Sequence, residues 1–296
     1  MPEPSAIAAV NATWCATLVD EWVRAGVAHA VVCPGSRSTP LALAVAERPE
    51  LAVHVHHDER AGAFLALGIG LASGRPAVLI TTSGTAAVEA HPAVVEAHQA
   101  GVPLLVATAD RPPELHGVGA PQTVDQRRLF GEAVRWYLQP GPPDLAAAGA
   151  WRSWAARSVA EAVAGPAGPG PVHLDLAFRE PLLGAPTALP PGRADGAPWH
   201  TVGGHRAAVE RSGIARAVDL LDAERGVILA GAGCGEAAAV FALAEAAGWP
   251  VLADPRSGCR TDHPAVVAHA DALLRHPPTA AALRPDVVLR LGMAPA

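Results

Sequence analysis

The sequence contains no lysine, and all 22 of its basic residues are arginines. Without a lysine amine the chain cannot form the Schiff base of pyridoxal phosphate chemistry. It also cannot build a nucleotide-binding loop whose lysine contacts the phosphates. Asparagine is almost absent as well, with Asn11 as the only example. Two classes of functional site are therefore excluded before any motif is considered.

Cysteines and long apolar runs are scarce too. Four cysteines, with no C-x-x-C spacing, predict neither a disulfide scaffold nor a structural zinc site. The net charge of -6 does not favour a nucleic acid or an anionic membrane as partner. There is no basic start before an apolar run, and no charge-free apolar stretch reaches about 18 residues. We therefore expect no signal peptide, no membrane span and a reducing cytoplasmic location.

What the sequence does contain is enough apolar material for a folded core. Half of its 296 residues are hydrophobic, only 17% are charged, and the mean hydropathy is +0.23. A chain of this length is expected to form about two domains. Disorder is therefore a poor interpretation for most of it.

Apolar runs of strand length alternate with segments of helical periodicity. Helices are predicted at 12–25, 58–71, 84–96, 124–131, 144–164, 205–222 and 236–247. Strands are predicted at 29–33, 51–56, 77–81, 103–108, 134–138, 172–176, 227–230, 251–253 and 286–291. Helices between buried apolar strands indicate an α/β fold, a parallel sheet with helices on both faces.

The composition changes to proline, glycine and alanine between about 181 and 204, which predicts a linker. We therefore expect a first α/β domain over 1–180 and a second α/β unit over 205–296. The second unit looks incomplete, because the sequence stops within a few residues of its last predicted strand.

Polar residues follow four strands of the first domain. The four loops read PGSRS at 34–38, HDER at 57–60, TSGT at 82–85 and ADRPPE at 109–114, and the last continues into GAPQ at 119–122. Ligands of open α/β sheets bind beyond the carboxyl ends of the strands. Each loop also has a plain structural interpretation, as a helix cap, a dipole-neutralising carboxylate or a turn glycine. Four such loops at one sheet edge favour a binding site.

The motifs PGSRSTPL at 34–41, HHDERAGAFLALG at 56–68, TTSGTA at 81–86 and TADRPPEL at 108–115 carry a specific resemblance. In this order they resemble the N-terminal half of the thiamine-diphosphate enzymes. Within that family they are most similar to the synthases of menaquinone biosynthesis that act on 2-oxoglutarate and isochorismate. The resemblance covers about 12–180 well and is weaker over 205–296.

The resemblance implies a pyrimidine-binding domain over 1–180 and part of a central domain over 205–296. In the family, a third, pyrophosphate-binding domain holds Mg²⁺ or Mn²⁺ through a Gly-Asp-Gly stretch and a later asparagine. This sequence contains no such pattern, so we expect that domain to be absent and the isolated chain to be inactive. Active sites of the family lie between subunits, which implies a homodimer or homotetramer at full length.

The resemblance also implies roles for individual residues. Glu59 would be the catalytic glutamate that hydrogen-bonds the aminopyrimidine ring of the cofactor. Gly84 and Thr85 would face that cofactor. The candidate substrate-binding residues are Ser36, Arg37, Arg111 and Gln122. The implied reaction is decarboxylation of 2-oxoglutarate and addition of the resulting enamine to isochorismate.

Some features weaken or compete with this interpretation. Pro121 stands where the family commonly has asparagine, which removes an amide from the substrate loop. Arg37 and Arg111 could instead form structural ion pairs, with Asp110 or Glu114 as candidate partners. Phe64 and Leu65 are candidates for an apolar wall beside the catalytic glutamate.

Two further patterns are weaker signals of cofactors. The glycines at 231, 233 and 235 follow a strand, but the dinucleotide fingerprint fails at Glu236. His54 and His56 share a strand face, yet no further ligand completes a metal site. Trp151 and Trp154 are interpreted as core or interface packing.

Two alternative functions remain open. One is another thiamine-diphosphate decarboxylase or an acetohydroxyacid-synthase-like enzyme. The other is a non-catalytic α/β module that binds an anion between Arg37 and Arg111.

Overall fold

The computed structural model describes residues 3–202 and 210–294. The chain divides into two compact units, Met1–Gly204 and His205–Ala296. Among the described helices, none combines the length and the apolar character needed to cross a membrane.

The first unit is built on a six-stranded, fully parallel sheet in the order β2-β1-β3-β4-β6-β5. Its strands are β1 (His29–Val32), β2 (Ala52–Val55), β3 (Ala77–Thr81), β4 (Leu104–Asp110), β5 (Trp136–Leu138) and β6 (Pro171–Ala177). Strands β3, β4 and β6 are buried at every position, because helices cover both faces.

Six α-helices accompany these strands within residues 3–202. They are α1 (Pro4–Arg24), α2 (Thr39–Ala46), α3 (Glu59–Ser73), α4 (Thr85–Glu89), α5 (His91–Ala100) and α6 (Ala148–Ala164). Side chains alternate along the strands, so each sheet face has its own core. Helices α1, α2 and α6 pack on the face that contains Val32 and Ile80. Helices α3 and α5 pack on the opposite face, which contains Val31 and Leu79.

The predicted α/β class and parallel sheet are confirmed, and three predicted helices need correction. The helix expected at 124–131 is wrong: this stretch forms turns that lead into a 3-10 helix at Gly131–Ala133. Arg128 and Gly131 have φ of 52° and 54°, which a helix cannot accommodate. The helix expected at 84–96 is two helices, because Pro92 starts a new one. Helix α1 begins at Pro4, eight residues earlier than expected.

The proline-rich stretch beyond 180 has no regular element over its described part, 181–202, and it packs against α1 and α6 of the same unit. The Asn11 amide donates to the carbonyls of Arg179 and Pro181. Arg152 of α6 donates to the carbonyl of Pro190 at 2.8 Å. Side-chain donors of α1 and α6 thus bind carbonyls that no sheet or helix would satisfy.

The second unit has a three-stranded parallel sheet in the order β8-β7-β9. It contains α7 (Arg211–Leu221), β7 (Gly226–Ala230), α8 (Ala237–Ala247), β8 (Val251–Ala253), α9 (Ala270–Leu274), α10 (Pro277–Ala282) and β9 (Val287–Leu291). Its core includes Ile228, Trp249 and Val251. The first part of the helix predicted at 205–222 lies outside the described residues.

Candidate active site

The polar loops singled out in the sequence all lie at the carboxyl edge of the first sheet. Because β1, β2, β3 and β4 run parallel, the loops that follow them leave the sheet on the same side. Close packing joins two of them directly. A Cβ on Gly35 would lie 2.3 Å from the Cβ of Thr82, so only glycine lets the loop after β1 rest on the end of β3.

Glu59 is the first residue of α3, directly after β2. Its neighbour Asp58 caps the helix by accepting a 3.0 Å hydrogen bond from the amide of Ala61. Asp58 therefore has the structural role of a helix cap. Glu59 remains the candidate for a functional role. Glu59 is half-buried.

The charge of Glu59 acts on the thiol of Cys33, the residue after β1. Burial, and the charges of Glu59 and Asp58, raise the pKa of Cys33 to about 12. Phe64 and Leu65 are 42% and 37% exposed. These two side chains are therefore partly open to solvent in this unit, and their role as an apolar wall stays a prediction.

The end of β3 presents buried hydroxyl groups at the same edge. Within residues 3–202 and 210–294, the hydroxyls of Thr81, Thr82 and Ser83 have no hydrogen-bond partner although they are buried. A buried hydroxyl without a partner is costly, so these groups call for a partner that the described residues do not supply. The sequence motif flagged this stretch, but not that three consecutive hydroxyls would be buried together.

Gly84 and Gln122 are in direct contact. The Gln122 amide donates a 3.0 Å hydrogen bond to the carbonyl of Ser83. Gly84 has φ of 83°, and a Cβ there would lie 2.7 Å from the Cγ of Gln122. Two predicted site residues thus meet. Thr85, the first residue of α4, is exposed, as is Ser36.

Arg37 is 5% exposed and is held by residues after β6. It donates at 2.9 Å to the carbonyl of Phe178 and at 2.8 Å to the carboxylate of Glu180. Its Nε is buried and has no partner within the described part of the chain. Burial, and next the charge of Arg111, lower the pKa of Arg37. Two guanidinium groups thus lie near one another.

Both candidate ion-pair partners suggested for the arginines were wrong. Glu114 pairs with Arg179, at 2.6 Å, and not with Arg111. The side chain of Arg111 donates to the carbonyl of Pro121 at 2.8 Å, so the proline that lacks an amide contributes its carbonyl instead. The actual partner of Arg37, Glu180, is 143 residues away in sequence. No local signal could have identified it.

Asp110 supports Arg111 through the backbone. Its Oδ1 accepts a 2.8 Å hydrogen bond from the amide of Arg111. The Nε2 atom of His116 lies 2.9 Å from the Arg111 carbonyl oxygen and 3.2 Å from Asp110 Oδ2. When Nε2 carries a proton, it can donate that proton to either oxygen. These residues line an open cleft of about 500 Å³.

A second buried carboxylate lies behind this cleft and was not singled out in the sequence. Asp175 of β6 is fully buried, and its Oδ2 accepts hydrogen bonds from Tyr137 at 3.2 Å and Gln139 at 2.7 Å. Burial, and next the charge of Asp110, raise the pKa of Asp175 to about 7. An aspartate inside a mostly apolar strand, which also contains His173, was the available sequence signal.

His54 lies on β2, and His56 lies just beyond the end of that strand. His54 contacts His29 of β1 through ring nitrogens 3.2 Å apart. Over the described ranges, no group of three or more potential ligands comes together.

Trp151 is 1% exposed and packs on Trp14, which confirms its interpretation as a core residue.

Comparison with known proteins identifies the family. A model described as the N-terminal TPP binding domain of thiamine pyrophosphate enzymes matches residues 13–129. A model described as the middle domain of thiamine pyrophosphate matches residues 194–294. This chain belongs to the thiamine pyrophosphate enzymes.

Within the thiamine pyrophosphate enzymes, the chain is similar to curated 2-succinyl-5-enolpyruvyl-6-hydroxy-3-cyclohexene-1-carboxylate synthases. It is 47% identical to that of Thermobifida fusca over 93% of this chain and 49% of the relative. For Haloarcula marismortui the identity is 44%, over 97% and 52%. For Myxococcus xanthus it is 45%, over 97% and 51%. The chain spans about half the length of the curated relatives it matches.

Proposed function

We propose that the first unit forms the pyrimidine half of a thiamine diphosphate site in a transferase of menaquinone biosynthesis. The reaction would decarboxylate 2-oxoglutarate and add the remaining carbon fragment to isochorismate, giving 2-succinyl-5-enolpyruvyl-6-hydroxy-3-cyclohexene-1-carboxylate. The similarity to curated synthases at 43–47% identity supports this choice of reaction.

The observation that carries the proposal is the set of unpartnered buried hydroxyls at the end of β3. Thr82 and Ser83 lie between Gly35 on one side and Gln122 on the other. A polar heterocycle at this edge would give the hydroxyls the partners they lack. The donor set therefore fits the aminopyrimidine ring of thiamine diphosphate.

Glu59 is the residue we assign to proton control. A carboxylate at the start of α3 can hydrogen-bond a protonated ring nitrogen of the pyrimidine and hold that proton. When bound, thiamine diphosphate supplies a nucleophilic carbon and an electron sink for decarboxylation. The protein has to position Glu59 and exclude water from it.

Exclusion of water requires a cover that the single unit lacks. Helix α3 exposes an apolar stripe in which Phe64 and Leu71, seven residues apart, are 42% and 69% exposed. Between them, a Cβ on Gly68 would meet nothing within 4 Å, which leaves room for a second helix. We therefore propose that this face is covered in a homodimer or homotetramer.

Arg37 and Arg111 are the proposed carboxylate clamp. Two guanidinium groups near one another repel, and an anion between them relieves that repulsion. The unpartnered Nε of Arg37 is one donor that such an anion could use. Ser36 and Gln122 would complete the substrate site, and Gly84 and Thr85 would face the cofactor.

The described residues offer no ligand set for a divalent ion. We propose that Mg²⁺ or Mn²⁺ and the diphosphate are held by the half of the curated relatives that this chain does not match. A cytoplasmic location is proposed because all four cysteines are free thiols, as in reducing compartments.

A turnover assay with 2-oxoglutarate, isochorismate, thiamine diphosphate and Mg²⁺ tests whether this chain supplies only half of the active site. We expect no product from these 296 residues alone, and product when the remaining half of the Thermobifida fusca relative is joined to them. Turnover by these residues alone would contradict the proposed half-site. Product from pyruvate in place of 2-oxoglutarate would favour the acetohydroxyacid-synthase-like alternative.

Equilibrium binding separates the enzyme from a simple anion-binding module. We expect Arg37→Ala to weaken 2-oxoglutarate binding by about 10-fold or more, the value of a charged hydrogen bond. Arg157→Ala, at an exposed position on α6, is the control. Carboxylate binding that needs Arg37, together with thiamine diphosphate binding that ignores Glu59→Gln, would favour the module.

A further inference from the structure

Two cysteines of the second unit lie side by side. The sulfur atoms of Cys234 and Cys259 are 3.6 Å apart, although the residues are 25 positions apart in sequence. Cys234 lies in the loop after β7 and Cys259 in the loop after β8, and β7 and β8 are parallel neighbours. The topology therefore brings the two loops to one edge of the sheet. This pairing could not be predicted from the wide spacing of the cysteines.

A single residue, Ser257, holds both cysteines. The thiol of Cys234 lies 3.2 Å from the carbonyl of Ser257, to which it donates. The amide of Cys259 donates to the Ser257 hydroxyl at 3.0 Å. The two sulfurs are thus fixed relative to one turn of the chain, which keeps them in contact.

The two thiols differ in access to solvent. Cys234 is partly exposed, whereas Cys259 is fully buried in the core of the unit. Burial, and next the hydrogen bond with Cys234, raise the pKa of Cys259 to about 11. A small oxidant in solution would therefore meet Cys234 first.

The loop around Cys234 has room to close the gap. A disulfide needs a sulfur–sulfur distance of about 2.05 Å, so the sulfurs must approach by roughly 1.5 Å. Gly233 and Gly235 flank Cys234, and a Cβ at either would meet nothing within 4 Å. The two glycines can therefore shift without a steric clash, while the Cys234 amide packs against Gly292 in the loop after β9.

The other two cysteines are placed differently. Cys15 and Cys33 are buried in the two cores of the first unit, at 0% and 1% exposure. Burial raises the pKa of both thiols, which lowers their reactivity. They serve as internal controls for any thiol reagent.

We propose that Cys234 and Cys259 form a reversible dithiol–disulfide pair that reacts with peroxides. The Cys234 thiolate attacks the peroxide and becomes a sulfenic acid, as the O–O bond breaks and the leaving oxygen takes up a proton to give water. The Cys259 sulfur then attacks the Cys234 sulfur, the S–O bond breaks and a second water leaves. Both thiols are oxidised, and one hydrogen peroxide is reduced to two waters.

The bridge would tie the loops after β7 and β8 together at one edge of the second sheet. A thiol reductant would reopen it by exchange. This inference concerns the second unit only and does not depend on the function proposed for the first.

The test is oxidation of the whole chain with hydrogen peroxide, followed by alkylation and intact-mass measurement. We expect the loss of two hydrogen atoms, a fall from four alkylatable thiols to two under denaturing conditions, and a Cys234–Cys259 peptide on proteolysis. Dithiothreitol should restore all four thiols. Cys234→Ser and Cys259→Ala should each abolish the bridge, and Cys15→Ala should leave it unchanged.

Oxidation in denaturant provides a control that does not depend on variants. There we expect the selectivity for the Cys234–Cys259 pair to disappear, because the loops no longer hold the sulfurs together. A folded chain that keeps four thiols, or that forms a different pair or a sulfinic acid at Cys234, would overturn the proposal.

Discussion

The side-chain amide of Gln122 donates a 3.0 Å hydrogen bond to the backbone carbonyl of Ser83, which joins the loop after β4 to the loop after β3. Gly84 makes this contact possible, because its left-handed backbone and missing Cβ leave space for the Gln122 side chain. The two loops therefore behave as one surface at the carboxyl edge of the sheet.

Gly84→Ala is predicted to damage this surface. Alanine at φ of 83° is strained, and its Cβ would displace Gln122. We expect a loss of roughly 1–3 kcal/mol of unfolding free energy in urea titrations. We also expect altered NMR signals of the Gln122 amide group. Gly117→Ala is the control, since that glycine has φ of 71° with nothing near its Cβ. Equal effects at both sites would rule out a specific contact with Gln122.

Arg152→Met is predicted to be strongly destabilising. Arg152 on α6 is almost fully buried and pairs with Asp20 at 2.6 Å and with Glu21 at 2.8 Å, both on α1. Its loss would leave the buried Glu21 carboxylate uncompensated, at a cost of about 3–5 kcal/mol. Arg157→Met, which breaks an exposed pair with Glu161, should cost about 0.5 kcal/mol or less. Chemical denaturation monitored by tryptophan fluorescence compares the two variants.

Adding Glu21→Gln to the Arg152→Met variant should recover part of the lost stability, because the buried charge is then removed. No recovery would mean that Arg152 acts through packing alone.

The region around Asp175 should make stability depend on pH. The Asp175 carboxyl group faces Asp110 of β4, Tyr137 of β5 and, more weakly, His116. Its pKa of about 7 in the folded chain lies above the unfolded value of about 3.9, so folding favours the protonated acid. The stability it contributes is complete below pH about 4 and is lost as the pH rises through about 7.

Asp175→Asn should remove this dependence, because the amide resembles the neutral acid. Relative to wild type, we expect the variant to gain up to about 3 kcal/mol between pH 5 and pH 8 in urea titrations. Asp125→Asn is the control, since Arg127 lowers the pKa of Asp125 to about 2, so this carboxylate is ionised above pH 5 in the folded and the unfolded chain and its replacement should leave the dependence between pH 5 and pH 8 unchanged. An identical pH profile for wild type and Asp175→Asn would contradict a raised pKa at Asp175.

The sheet was predictable because its strands are short apolar runs, and β3 and β8 begin and end where the sequence indicates. The 124–131 segment was not, because Arg128 adopts a left-handed backbone that no local sequence pattern indicates. Helix α2 was missed because it is only eight residues long.

The candidate site was predictable as a set of loops but not as a set of contacts. Motifs at strand ends located Arg37, Gly84 and Gln122, since parallel strands deliver their loops to one edge. The sequence analysis did not identify Glu180 and Asp175, because each is held by a partner far away in sequence. Long-range pairing of charges depends on the finished fold, which local patterns do not encode.

The most direct test of the central claim is thiamine diphosphate binding, in the presence of Mg²⁺, to this chain joined to the remaining half of the Thermobifida fusca relative, measured by calorimetry for wild type, Glu59→Gln and Glu132→Gln. Glu132 is an exposed glutamate of the same unit and serves as the matched control. We predict that Glu59→Gln raises Kd by about 10-fold or more, the value of a charge-assisted hydrogen bond, while Glu132→Gln leaves it unchanged. Equal affinity of all three proteins would contradict the assignment of Glu59 to the pyrimidine ring.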